Sequence, residues 1–176
     1  PICNDSDPCT IDTCDSVQGC DNAPADECTD CSVATSLAGS AGSLPGIQDI
    51  QVSGDTAYVL TDDLVIFDVS DPFAPSELYS LGLLNSPTSL HVVGDIAYVT
   101  ALSGGSNGGL WCIDVSNKQD PVGIGSLTNA LVYDSLDVHV LGDTAYVAAG
   151  VLGLRLVDVA NPGNLIPLGG YDPGDG

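Results

Sequence analysis

Methionine is absent from this 176-residue chain, and basic side chains nearly so: Lys118 and Arg155 stand against 24 acidic residues, for a formal charge of −22. Neutralising phosphates takes Lys and Arg, so nucleic acid is excluded as a partner. Adhesion to anionic lipid fails on the same ground. No apolar run approaches the roughly 20 residues of a membrane-spanning helix, so no membrane insertion is expected. Catalytic signatures are missing too. There is no Ser-His-Asp arrangement, no nucleophile elbow and no phosphate loop. The run Gly104-Gly105-Ser106-Asn107-Gly108-Gly109 has neither a Lys nor a following helix, so it reads as a flexible loop. The expectation is a protein that is not an enzyme. The chain opens on Pro1 with no initiator Met and no signal peptide, as a mature product, an excised segment or part of a longer chain would.

What is present is a repeat. Gly54-Asp55-Thr56-Ala57-Tyr58-Val59 returns as Gly94-Asp95-Ile96-Ala97-Tyr98-Val99 and as Gly142-Asp143-Thr144-Ala145-Tyr146-Val147, at intervals of 40 and 48 residues. Each copy continues to an apolar run ending in Asp-Val: Leu64 to Val69 with Asp68, Leu110 to Val115 with Asp114, and Leu154 to Val159 with Asp158. Ten residues beyond each of these Asp residues stands Leu78, Ile124 or Leu168. The extra length of the second copy is confined to Leu102–Gly109, as stacked repeats allow, because their connections lie outside the packed core. With 44% hydrophobic residues the chain has enough apolar surface for a sizeable core.

Within a copy the pattern predicts four short strands and no helix. In the first these are Ile47 to Val52, Thr56 to Thr61, Leu64 to Val69 and Ser76 to Leu81, separated by Gly-Asp and Asp-Pro turn signals. Four antiparallel strands in about 40 residues is the pattern of a propeller blade. The predicted architecture is therefore all-β, an array of three four-stranded antiparallel blades at about 47–83, 84–127 and 135–171. A Cys- and Asp-rich disulfide module over 1–31 and a small-residue linker over 32–46 precede it.

The Gly-Asp-x-Ala-Tyr-Val strand, followed by an apolar run ending Asp-Val-x-(Asp/Asn), resembles the LVIVD repeat, which occurs in β-propellers of bacterial and archaeal surface proteins. The resemblance covers about residues 47 to 171. It implies a propeller fold and an extracellular or cell-surface setting, and no reaction. The segment Cys3-Asn4-Asp5-Ser6-Asp7-Pro8-Cys9-Thr10-Ile11-Asp12-Thr13-Cys14-Asp15, closing at Gly19-Cys20, is similar to short Cys- and Asp-rich repeats of large secreted bacterial proteins.

Seven cysteines point to an oxidising compartment. Cys3, Cys9, Cys14, Cys20, Cys28 and Cys31 crowd the first 31 residues and suggest three disulfides, in any of fifteen pairings. A zinc site at Cys28-Thr29-Asp30-Cys31 lacks a second Cys pair or a His nearby, and a redox site there lacks the βαβ context. Cys112 stands alone, opposite Ile66 and Leu156 when the copies are aligned, where a free thiol behaves as a small buried hydrophobe. Asn4, Asp5, Asp7, Asp12 and Asp15 are dense enough to supply the six to eight oxygens of a calcium site. Asx-turns that organise the loop are the other reading. Asn4-Asp5-Ser6 is also a glycosylation sequon.

The recurring carboxylates read as turn formers. Asp68, Asp114 and Asp158 are placed to accept backbone N–H bonds, and Gly54-Asp55, Gly94-Asp95 and Gly142-Asp143 are placed to close hairpins. His91 and His139 fall at equivalent places in first strands, with Gln51 in that region of the first copy and no recurring acidic partner, so a structural role is favoured. Three blades fall short of the four to eight of closed propellers, and both terminal blades are expected to leave apolar side chains uncovered unless the natural chain is longer, copies of the chain combine, or the N-terminal segment caps an open edge. The expected partner is the chain itself, as a homo-oligomer or filament, or further blades of a longer parent chain. The expected function is that of an extracellular structural or adhesive protein. The alternative is a ligand-binding module, carbohydrate being one candidate.

Overall fold

A computed structural model of the chain describes residues 10–15, 19–24, 44, 46–82, 86–102, 108–129, 131–132, 134–172 and 174. The first compact unit, Pro1–Ala38, contains an antiparallel hairpin of β1 (Thr10–Asp15) and β2 (Gly19–Pro24), whose register sets Cys14 opposite Cys20. Asp12 and Asp15 also fall on β1. The rest of the predicted N-terminal site, Cys3, Asn4, Asp5, Asp7, Cys9, Cys28 and Cys31, lies outside the described residues.

The second unit, Gly39–Gly176, is built from three four-stranded antiparallel meanders, the propeller-like array that the repeat predicts. Blade 1 is β3 (Asp49–Ser53), β4 (Thr56–Leu60), β5 (Asp63–Asp68) and β6 (Ser76–Gly82). Blade 2 is β7 (Pro87–Val93), β8 (Ile96–Ala101), β9 (Gly109–Asp114) and β10 (Val122–Leu127). Blade 3 is β11 (Asp137–Leu141), β12 (Thr144–Ala148), β13 (Leu154–Asp158) and β14 (Ile166–Tyr171), with one 3-10 turn at Gly150–Leu152 between β12 and β13.

The repeated motifs explain why each blade has this form. Gly54, Gly94 and Gly142 adopt φ of 58°, 59° and 58° at the first position of a two-residue hairpin turn. Glycine enters that region without a steric penalty, and the turn's twist matches that of the strands it joins. The next residue ties the two main motifs together. The carbonyls of Asp55, Asp95 and Asp143 accept the N–H groups of Val69, Val115 and Val159 at 2.9, 2.8 and 2.9 Å, which carries the ladder one step past each Asp-Val pair. Asp68, Asp114 and Asp158 each turn the chain by accepting the N–H two residues on, from Ser70, Ser116 and Ala160, at 2.9, 2.8 and 2.9 Å. The Ser70 side chain and N–H hold Asp68 below its usual carboxylate range, and Ser116 does the same for Asp114. The third motif marks a β-bulge. The pairing slips between Glu77 and Tyr79, between Gly123 and Gly125, and between Pro167 and Gly169, so Leu78, Ile124 and Leu168 are the extra residues of the three outer strands.

Blades pack face to face. Tyr58, Leu60, Leu64 and Ile66 of blade 1 form one buried cluster with Leu90, Val92, Ala97, Val99 and Ile113 of blade 2. Tyr98, Leu110 and Cys112 of blade 2 form the next, with Val138, Val140, Ala145, Val147 and Val157 of blade 3. Burying one such aliphatic side chain contributes about 1.5–3 kcal/mol, so these two junctions hold most of the unit's hydrophobic stabilisation. Blade 1's other face is not bare, in contrast to the expectation for a terminal blade. Ala57, Val59, Val65 and Phe67 are buried there, with Leu44 packed against them.

At the outer edge of the second junction the backbones nearly touch. A Cβ built on Gly125 would stand 2.0 Å from the Pro162 carbonyl oxygen in the turn between β13 and β14. A backbone carbonyl cannot yield as a side-chain tip would. Gly125→Ala is therefore expected to destabilise the protein by about 1–3 kcal/mol. Gly123→Ala, which meets nothing within 4 Å, should melt close to the parent protein. Equal melting temperatures for the two variants would contradict the close approach of blades 2 and 3.

Candidate functional site: the laced first strands

The first strand of each sheet has a sheet neighbour on one side only. Its alternate N–H groups point away from the sheet, into the gap before the next blade. Buried N–H groups without acceptors are strongly unfavourable. In this protein, side chains of the preceding blade supply the acceptors for Leu90, Val92 and Val140, whereas the Val138 N–H turns to Asp137 of its own strand at 2.9 Å.

Two repeat positions do the work. At the first stand Asp49, Ser89 and Asp137. Asp49 Oδ2 accepts the Leu90 N–H at 2.8 Å and lies 3.0 Å from the Ser89 hydroxyl, which also lies 2.7 Å from Asp137 Oδ1. A hydroxyl carries one hydrogen, so Ser89 donates to one carboxylate at a time. At the second position stand Gln51, His91 and His139. Gln51 clamps the backbone of Val92, accepting its N–H at 2.7 Å and donating to its carbonyl at 2.9 Å. One blade on, His91 Nδ1 accepts the Val140 N–H at 2.8 Å. Glutamine and histidine differ in chemistry, yet both present one acceptor at the same height, and both lace a first strand to the next.

The His91 and His139 rings stack with centroids 4.4 Å apart and an interplanar angle of 31°. Burial and the neighbouring His139 hold His91 below its ordinary 6.5, against the opposing pull of Asp137 and Asp49. That direction suits its role, since a protonated Nδ1 cannot accept. Thr88 adds a further strut, donating to the Ser135 carbonyl at 2.8 Å across the same junction.

The remaining candidates lie elsewhere. Cys112 is fully buried and unpaired, and burial pushes its thiol up to about 12. Lys118 donates to the Val115 carbonyl, lies 3.6 Å from Asp95 and sits 5.8 Å above the Tyr58 ring. A mostly apolar cavity of about 270 Å³ is lined by Leu131, Val132, Arg155, Leu156, Val157 and Gly170 among others. Arg155 spans 3.7 Å to Asp172. Among the described residues no group of three or more His, Cys, Asp or Glu is placed to hold a metal.

The array's last face is open. Tyr146 is 38% exposed and Leu154 41%, whereas their counterparts Tyr58 and Leu64 in blade 1 are 1% and 0% exposed, and Tyr98 and Leu110 in blade 2 are 5% and 0%.

The sequence put His91 and His139 at equivalent places but left out the hydrogen bond by which His91 holds the next strand's backbone, and it gave no part to Asp49, Ser89 or Asp137. The available signal was polar residues recurring two apart in strands otherwise apolar, at positions facing a neighbouring blade.

Because His91 stays neutral when folded, its contribution is fully present above 6.5 and is lost as the pH falls below that value through the lowered folded pKa. The melting temperature should accordingly drop over that range before the carboxylates titrate. His91→Gln, which installs the blade 1 solution, should flatten the drop. An unchanged acid limb in that variant would remove His91 from the account.

The LVIVD repeat matches three segments of the chain, residues 46–81, 87–129 and 134–172, one for each four-stranded sheet. A comparison with curated proteins gives no match.

Proposed function

The chain belongs to the LVIVD repeat family, its repeat β-structure spanning most of its length, and we propose that it serves as an extracellular structural or adhesive protein, a non-enzymatic building block of a surface assembly. The observation that carries this reading is the open last face. Tyr146 and Leu154 are exposed where two other blades bury the same positions, and Leu168 and Tyr171 of the same blade are exposed as well. Contiguous apolar patches on soluble proteins mark places where something binds. The setting is supported by a charge of −22, which keeps a displayed surface soluble and non-sticky, and by six cysteines within 31 residues, a density typical of oxidising compartments. In the same reading, Asn4, Asp5, Asp7, Asp12 and Asp15 hold calcium, and the N-terminal cysteines are bridged.

The test is antibody labelling of intact producing cells and their medium, followed by native sizing of the material recovered. Signal at the surface or in the medium, in a species larger than one chain, is expected. Labelling only after the cells are opened would contradict the location, and a lone 17.8 kDa species would contradict the assembly. Chelator should lower the melting temperature of the recovered protein by mass action; an unmoved melting curve would leave the acidic residues as turn formers.

A further inference from the structure

We infer that a second copy of this chain completes the ladder of first strands, with β3 of each copy beside β11 of the other, closing six blades into one ring. The inference rests on the assembly reading and specifies its contact. Both internal junctions follow one rule, in which the side chain at the Gln51/His91 position of one blade accepts the N–H at the Val92/Val140 position of the next. The third acceptor in that series is His139, whose residue is exposed on β11. The first donor in the series is the Val52 N–H on β3, which has no acceptor among the described residues. The array thus ends on an acceptor and begins on a donor of the same geometry.

The apolar side chains follow the same rule. Ile50 and Val52 are 57% and 58% exposed, while their counterparts Leu90, Val92, Val138 and Val140 are all 4–6% exposed, packed on the preceding blade. Leu90 and Val92 share their cluster with Tyr58 and Leu64. By the same placement, Ile50 and Val52 of a second copy cover Tyr146 and Leu154, the exposed pair of the open face. The rest of blade 1's outward face, Ala57, Val59, Val65 and Phe67, is already buried, with Leu44 and Val69 packed against it. The uncovered strand is therefore the part available for docking.

Each copy carries one end of each kind, so the contact is heterologous, and such contacts either close or propagate. Two copies give six blades, inside the four to eight of closed propellers, and three copies would exceed it. The new junction also differs from the internal ones in one respect. It sets Asp137 beside Asp49 of the second copy, with no Ser between them. Like charges at that range repel, so the ring tightens as salt screens them.

The test is sedimentation or light-scattering mass of the purified 176-residue chain, with added salt of about 1 M, where the Debye length is about 3 Å. The parent chain should have twice the 17.8 kDa mass of one copy. His139→Leu removes the acceptor, and Val52→Pro removes the donor on an edge strand where proline is tolerated. Both variants should fall to one copy with an unchanged far-ultraviolet spectrum. His139→Gln, the acceptor that blade 1 uses, should restore the doubled mass. If Val52→Pro fails to fold, the Leu and Gln pair at 139 decides alone. Assembly of the parent chain that none of these variants disturbs would overturn the ladder contact and leave the assembly reading intact. Open-ended filaments would overturn the ring. A parent chain that stays at one copy at every concentration would overturn both this contact and the assembly reading.

Discussion

A first strand with a sheet neighbour on one side only must find acceptors for the N–H groups on its other side, and the rest of this unit is organised around that need. If the gap between blades were filled by apolar side chains alone, the Leu90, Val92 and Val140 amides would be buried without partners, each unfavourable by about 1–3 kcal/mol. Asp49, Gln51 and His91 meet those amides at 2.7–2.8 Å. Behind them the faces close, Tyr58 and Leu64 sharing one buried cluster with Leu90 and Val92, and Leu110 and Cys112 sharing the next with Val138 and Val140. Directional polar contacts fix the register of the blades, and non-directional apolar burial supplies most of the stabilisation.

This division of labour explains why the repeat tolerates so much variation at the lacing positions. Asp, Ser and Asp occupy one of them, and Gln, His and His the other. At the second position what persists is an acceptor at the right height, which Gln51 and His91 both provide; at the first, Asp49 accepts the Leu90 N–H whereas Ser89 donates its hydroxyl to a carboxylate. The apolar faces are held to a narrower choice: Ala97 and Ala145 recur, as do Val99 and Val147, because the preceding blade packed against them leaves room for little else.

Much of the fold could be read from the chain because its determinants are local. The Gly-Asp turns need positive φ at one residue, the Asp-Val pairs need a short acceptor for the N–H two residues on, and the bulges fall on the third recurring residue. Each is a property of a few neighbouring amino acids, and periodicity announces it three times. The lacing could not be read in this way. The partners Gln51 and Val92 are 41 residues apart, and His91 and Val140 are 49 apart. The side chain is also matched to a backbone group, which leaves no complementary residue in the sequence to notice. The cover over blade 1 was hidden for a similar reason. Leu44 sits in a stretch of small, uncharged residues that composition marks as a connection, and only its packing on the cluster of Ala57, Val59, Val65 and Phe67 gives it a structural role.

Side chains of one blade satisfy edge amides of the next. Amide hydrogen exchange of the folded chain, resolved by residue, tests it directly. Leu90, Val92 and Val140, edge amides with no sheet partner of their own, should exchange as slowly as the sheet-paired amides of β8 and β12. Exchange of those three at the rate of solvent-exposed edge amides, while β8 and β12 remain protected, would contradict it.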